Sequence, residues 1–450
     1  MNMPSLFNDP ARAWAPYVPG DTTPWSLARV AHLHRRAGFA APWSILQRDL
    51  KAGPAASIDR LFKGEPTSGD GQTADEFDAL LDAMAARVGS DATPARLQGL
   101  WLYRMILTAR PLRERMTLFW HNHFATSLAK VENPALMQRQ NDLLRSHALG
   151  DFRAMLEAVG KDPAMLVWLD STANRKAKPN ENYAREVMEL FTLGRGRYTE
   201  KDIQEAARAF TGWFVVRDRF SELPAQHDDG VKTIFGKTGR FKGDDIPSLL
   251  LDQPACAEFL CAKLFRQFVS EVDAPSPALL APLARMFRNN RFDITAPLRM
   301  ILASNLFFDE SRRRRRVKSP VELSVGTIRA LEILKPTVSS EALADACGRM
   351  GQTLYAPPSV AGWDGGPTWI NTTAMLNRTN LALALLGKDN AQLGGRCDAK
   401  ALADRNGVEP RKFYLDLLVQ DALESKTLGA VKEPWELATL VLTTPEYQLA

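Results

Sequence analysis

The chain has 450 residues, 45% of them hydrophobic and 24% charged, which is the balance of an ordinary globular protein. A net charge of +5 over this length is too slight for the footprint of a nucleic-acid binder, and no stretch approaches the ~18 apolar residues of a membrane span. The four cysteines form no CxxC pair, so a zinc ribbon or thiol redox motif is excluded by spacing.

Residues 1–22 are rich in Pro and Ala and read as an irregular N-terminal arm. They carry neither the basic start nor the apolar run of a signal peptide, so a cytoplasmic location is expected, with export beside a partner left open. Residues 23–450 are expected to form one helical domain. Leu27, Val30, Ala31 and His34 lie on one helical stripe that Gly38 ends, and a second helix follows from Pro42. Residues 64–73 read as a loop. Two helical runs span 74–110, the second starting near Thr93-Pro94, and Pro111 suits the first turn of another. Two short helices broken at Gly150 fill 135–160.

The stretch RMTLFWHNHFATS places two of the six histidines within three residues. On a helix, Leu112, Met116, Phe119 and His123 share a stripe, so His123 faces inward and His121 faces elsewhere. A helical HxH cannot chelate one metal. If the chain extends after Trp120, both imidazoles return to one face and can share a ligand. The spacing leaves both geometries open.

PNENYAREVMELFTLG is the best-marked helix. Asn180 suits the N-cap and Gly194 the C′ position. Tyr183, Val187, Leu190 and Phe191 make its buried stripe, and Asn182, Glu186 and Glu189 a polar row beside it. Arg185 is spaced to reach Glu181 and Glu189. Glu186 borders the apolar face, where a carboxyl has a movable pKa and can serve as acid, base or ligand. In the next helix Thr199 and Asp202 resemble a capping box, and Ile203, Ala206, Ala207 and Phe210 form the stripe. That leaves Glu205 and Arg208 to face a neighbour or each other. The long GRGRY connection speaks against a helix-turn-helix.

Residues 212–243 are short, β-prone and Gly-punctuated, and read as a β-hairpin or small flap. Within it, HDDG offers His227 and Asp228 as ligands for a divalent metal, or simply an Asp-Gly turn. GVKTIFGKT misses a Walker A loop by one residue and is not followed by a helix, so no phosphate cradle is expected. Lys237 is nonetheless placed to attract an anion. Arg312 to Arg316 form a basic run that most simply reads as a solvated loop or helix start. Trp363 and Trp369 flank DGGP, in a position to stack on a substrate or to pin the loop.

Taken in order, RMTLFWHNHFATS, ENYAREVMELFTLGRGRYTEKDIQEAARAFTGW, HDDGVKT, VKSPVELSVGTIRAL and MGQTLYAPPSVAGWDGGPTWINT resemble the bacterial domain of unknown function 1800 family. The resemblance runs from about Arg35 to about Asn380. It brings no agreed catalytic residues. It implies a sulfatase-like partner protein, often encoded beside relatives, and export signals that this chain does not display.

The expected fold is mainly α, a large multi-helix globular domain with the small β flap. The leading expectation is an enzyme with hydrolytic or metal-assisted chemistry. Its catalytic groups are His121, His123, Glu186, Arg185 and Arg208; Asn182, Lys237, Trp363 and Trp369 bind substrate, and His227 and Asp228 hold the metal. This reading requires the HNH helix, the Glu186 helix and the flap to converge. A noncatalytic assembly or maturation role is the second expectation, and nucleic-acid binding through Arg312–Arg316 the third.

Overall fold

A capping side chain followed by proline starts helix after helix. In Asp9-Pro10, Thr93-Pro94, Asn133-Pro134, Asp162-Pro163, Ser276-Pro277 and Ser319-Pro320, the first residue accepts a backbone N–H of the first turn. The proline occupies a position whose own N–H would find no partner in the helix. These pairs are local instructions, and they account for much of the mainly helical fold seen in the computed structural model. The structure describes residues 6–64, 74–88, 93–334, 336–387, 393–421, 423 and 431–450. Residues 65–73 of the expected loop lie outside them. Among the described residues no helix is long and apolar enough to cross a membrane.

The helices enclose two apolar clusters. One gathers Trp14, Leu112, Met116, Trp120, Phe124, Phe152, Phe191 and Phe265. The other gathers Val30, Trp101, Met105, Leu136, Leu343, Leu385 and Tyr414. Several helices serve both, among them Pro134–Ser146 and Pro163–Trp168. Leu27–Ala37 gives Leu33 and Ala37 to the first and Val30 and Ala31 to the second. Pro111–His123 gives Leu112, Met116 and Trp120 to the first and Leu118 to the second. A helix that is apolar on two sides is held from two sides, so its C-terminal HNH is rigidly placed between the clusters.

The arm carries a short helix, Pro10–Trp14, whose tryptophan is buried and donates from Nε1 to the Leu279 carbonyl at 2.7 Å. The β insertion is two separate antiparallel hairpins, Trp213–Val216 with Arg219–Glu222 and Lys232–Ile234 with Lys237–Gly239. Their turns, Arg217-Asp218 and Phe235-Gly236, all have positive φ, as tight hairpin turns with the twist of their strands require. HDDG connects the hairpins and is itself a turn, with Asp228 Oδ1 accepting the Gly230 N–H at 2.8 Å.

Candidate active site

The Pro111–His123 helix runs through both histidines, so the extended alternative is set aside. The three residues of HNH do three different things. His121 is buried between the Trp101, Tyr355 and Trp363 rings, and its Nε2 accepts the Tyr355 N–H at 3.2 Å. Burial pushes its pKa down to about 3, so the ring is a neutral acceptor. Asn122 pairs with the backbone of Trp363. His123 is also buried, but it faces a cleft.

The carboxylate helix departs from its expected form. Asn182–Glu186 is α-helical, and Val187–Thr192 continues as a π-helix. Leu193 N–H bonds back five residues to the Met188 carbonyl at 2.8 Å. A π-turn shifts the register beneath Glu189, and Arg185 is bonded to Glu181 and Glu200. Glu189 instead accepts from Arg195 Nε and the Tyr198 hydroxyl, each at 2.6 Å, and the Tyr198 bond holds its carboxyl below the ordinary value.

The end of the π-turn leaves carbonyls pointing out. The Phe191 carbonyl lies 3.0 Å from His123 Nε2, and the Leu190 carbonyl accepts from Lys263 Nζ at 3.2 Å. A carbonyl can only accept, so Nε2 carries the proton and Nδ1 carries a lone pair. Lys263 Nζ donates to that Nδ1 at 3.0 Å. Burial, and then the nearby Arg266 guanidinium, pull the Lys263 amine down to about 8. Burial first and Lys263 second keep His123 well below its usual pKa, against the Phe191 bond, so the ring is neutral.

Lys263 and His123 line a cleft of about 380 Å³. Phe119, Phe259, Trp363 and Trp369 give it aromatic walls, and Arg266, Asp364, Glu189 and Arg195 stand at its polar side. Its floor is an ion network. Arg316 donates to Glu271 at 2.8 Å and to Glu322 at 2.6 Å, and buried Arg115 pairs with the same Glu322. Burial raises the Glu322 carboxyl, but Arg115 and Arg316 outweigh it and hold the pKa down at about 2.

Of the residues expected from sequence, His123, Trp363 and Trp369 line this cleft. The two tryptophans are buried walls of the loop. His121, Asn182, Arg185, Glu186, Arg208, His227, Asp228 and Lys237 are not in its wall. Asn182 Nδ2 bonds the Leu169 carbonyl at 3.2 Å, and Lys237 pairs with Asp252 at 2.7 Å. Glu186 is half-buried with its pKa raised by desolvation, then by Glu189. Arg208 grips Asp228 at 2.7 Å and Glu205 at 2.9 Å, which fastens the flap to its helix. His227 Nδ1 is engaged by the Thr211 carbonyl at 2.8 Å. The donor set around His227 and Asp228 does not fit a divalent ion: Asp228 is bound to a guanidinium, and among the described residues no group of three His, Cys, Asp or Glu side chains could hold a metal.

Sequence reading missed Lys263, Arg266 and Gln267. Their signal is visible afterwards in AEFLCAKLFRQF: Phe259, Lys263, Arg266 and Gln267 recur at i, i+4, i+7 and i+8, one face of the Pro254–Phe268 helix. That is the face turned to the cleft.

No curated protein and no solved structure matches the chain. The family described as "Protein of unknown function (DUF1800)" matches residues 32–449, nearly the full length, and the chain belongs to it.

Proposed function

We propose that the chain is an enzyme working by proton transfer in the cleft beside the HNH helix, with Lys263 as the group that gains and loses the proton and His123 as its positioning partner. The observation behind this reading is the setting of the amine. Lys263 Nζ stands in the cleft wall 3.0 Å from His123 Nδ1 and 3.2 Å from the Leu190 carbonyl, with its pKa near 8. A group titrating close to neutral pH can both accept and return a proton at useful rates. The charged groups sharing the cleft are Arg266 one turn along the same helix, Glu189 and Arg195 from the π-helix and its loop, Asp364 in the tryptophan loop, and the floor network of Glu271, Arg316 and Glu322. The Phe191 carbonyl fixes the tautomer of His123, so its lone pair always faces the amine. Phe119, Phe259, Trp363 and Trp369 set apolar surface beside these contacts. The cleft volume is in the range of small-molecule sites. Hydrolysis remains the simplest reaction class for such a site, since it needs only one group to take a proton from water and give it to a leaving group.

The test is a panel of small ester, amide and carbonyl substrates assayed across pH for the wild type, Lys263→Met and His123→Ala. Turnover should follow a group titrating near 8. Lys263→Met should lose roughly 10²- to 10⁴-fold in kcat. His123→Ala should lower kcat more than it raises KM and move the pH midpoint. A Lys263→Met protein that keeps the wild-type rate rejects the reading.

A further inference from the structure

We infer that Lys263 is also a nucleophile, and that the cleft captures a small aldehyde or ketone as an imine on its Nζ. This rests on the role given to Lys263 above and names the substrate class.

Several other lysines of the fold are engaged in ways that leave no free amine facing open space. Lys130, Lys161, Lys237, Lys400 and Lys412 pair with carboxylates. A carboxylate neighbour keeps an amine charged, and a charged amine has no lone pair to give. Buried Lys232 donates to the Asp228 and Gly230 carbonyls, inside the flap. Buried Lys318 donates to the Tyr447 carbonyl beside a cavity of only about 20 Å³, room for about one water. Lys263 differs on both counts. Among the described residues no carboxylate pairs with it, and it stands in the wall of a cleft of about 380 Å³.

Its two hydrogen-bond partners are neutral acceptors, an imidazole nitrogen and a carbonyl. A neutral amine has two hydrogens and one lone pair. Directing the hydrogens to His123 Nδ1 and the Leu190 carbonyl leaves the lone pair in the remaining tetrahedral direction. The Phe259 ring face lies 4.9 Å from Nζ and occupies one side of the amine.

The step balances without an oxidant or reductant. The Nζ lone pair forms a bond to the carbonyl carbon while the C=O π pair moves to oxygen, which takes the first of the two protons of the nitrogen. The nitrogen sheds a proton to His123 Nδ1, 3.0 Å away. The histidine returns it to the departing oxygen, the C–O bond breaks, water leaves and the nitrogen lone pair closes C=N. One amine and one carbonyl enter; one imine and one water come out.

The experiment is reductive trapping on the full chain. Glyoxylate, pyruvate and benzaldehyde are each incubated with the protein and cyanoborohydride near neutral pH, and adducts are mapped by peptide mass spectrometry. One adduct per chain is expected, at Lys263. It should form on the order of a hundredfold faster than at Lys237 or Lys400, which are held by Asp252 and Asp404, since an amine brought from the ordinary 10.5 to about 8 holds on the order of a hundred times more free base. It should be absent in Lys263→Arg and slowed in His123→Ala. Adducts spread over surface lysines with no preference for Lys263 overturn the inference. Acetic anhydride labelling of the wild type across pH separates the two readings. If Lys263 acylates as a low-pKa amine yet traps no carbonyl, the imine falls and proton transfer stands. If it acylates as an ordinary lysine, both fall.

Discussion

The side-chain amide of Asn122 and the backbone of Trp363 bond in both directions. The Trp363 N–H donates to Oδ1 at 2.7 Å, and Nδ2 donates to the Trp363 carbonyl at 3.3 Å. With His121 holding the Tyr355 N–H, consecutive residues of one helix end tie down both ends of the Tyr355–Trp363 loop. The next residue, His123, faces Lys263. HNH is therefore a clamp on the cleft wall followed by a cleft residue.

Asn122→Ala would strand the Trp363 N–H in a buried place, at a cost of about 1–3 kcal/mol. Guanidinium unfolding measures the loss, and amide exchange should quicken at Trp363 while Trp120 stays protected. Gly362→Ala should cost at least as much. An added Cβ would sit 2.2 Å from Asn122 Oδ1, at a φ of +82° that side chains rarely adopt. Unchanged stability in both variants would show that the loop is held by other contacts.

These contacts explain which parts were legible in sequence. Thr93-Pro94, the Thr199–Asp202 box and the β-prone hairpin segments are local, and each appears where sequence places it, whereas the Pro10–Trp14 helix stands in the arm that reads as irregular. Asn122 and Trp363 are 241 residues apart, and no periodicity records their meeting. The π-turn was hidden for another reason: apolar spacing marks a face but not the hydrogen-bond register beneath it. Two cations on one face of a mostly apolar helix are a weak signal, so Lys263 becomes visible only once the Leu190 and Phe191 carbonyls and His123 are seen around it. The flap residues misled because Arg208, Asp228 and His227 have the chemistry of a site but spend it on holding the flap.

The Lys263 amine gives stability a definite pH dependence. Its pKa falls from an ordinary 10.5 to about 8 in the fold. Below about 8 the fold bears the whole cost of burying the charge. Between about 8 and 10.5 the unfolded chain binds more protons than the folded one, so stability rises with pH through that window. Other groups titrate there too, so the quantity to measure is the difference between wild type and Lys263→Met. The wild type should gain on the variant from pH 8 to 10.5 and not below.

Glu322 works in the opposite range. Its carboxyl drops from an ordinary 4.5 to about 2, with Arg115 and Arg316 outweighing burial. Its stabilising contribution is complete above about 4.5 and is lost as pH falls toward 2. Glu322→Gln should flatten that part of the acid-unfolding curve. At neutral pH it should cost about 3–5 kcal/mol, because two buried guanidiniums lose their shared anion. A neutral-pH loss under about 1 kcal/mol, the value of a surface pair, would mean that water reaches the network.

The arginine run sets up a contrast between neighbours. Arg315 is exposed and donates to the Ser311 carbonyl at 3.1 Å. Arg316 is buried between Glu271 and Glu322. Arg312 pairs with Asp273, Arg313 with Glu310 and Arg314 with Asp421, so most of the run is turned onto its own chain. Arg315→Ser should change stability by no more than about 0.5 kcal/mol. Arg316→Met should cost about 3–5 kcal/mol, since it leaves buried carboxylates short of a partner. Retention on immobilised DNA at low salt, measured on the same two variants, tests whether the run also faces outward. A surface clamp for phosphates would lose affinity with Arg315→Ser, the accessible member. A run spent on internal pairs would show no change there, and would register Arg316→Met as a loss of fold alone.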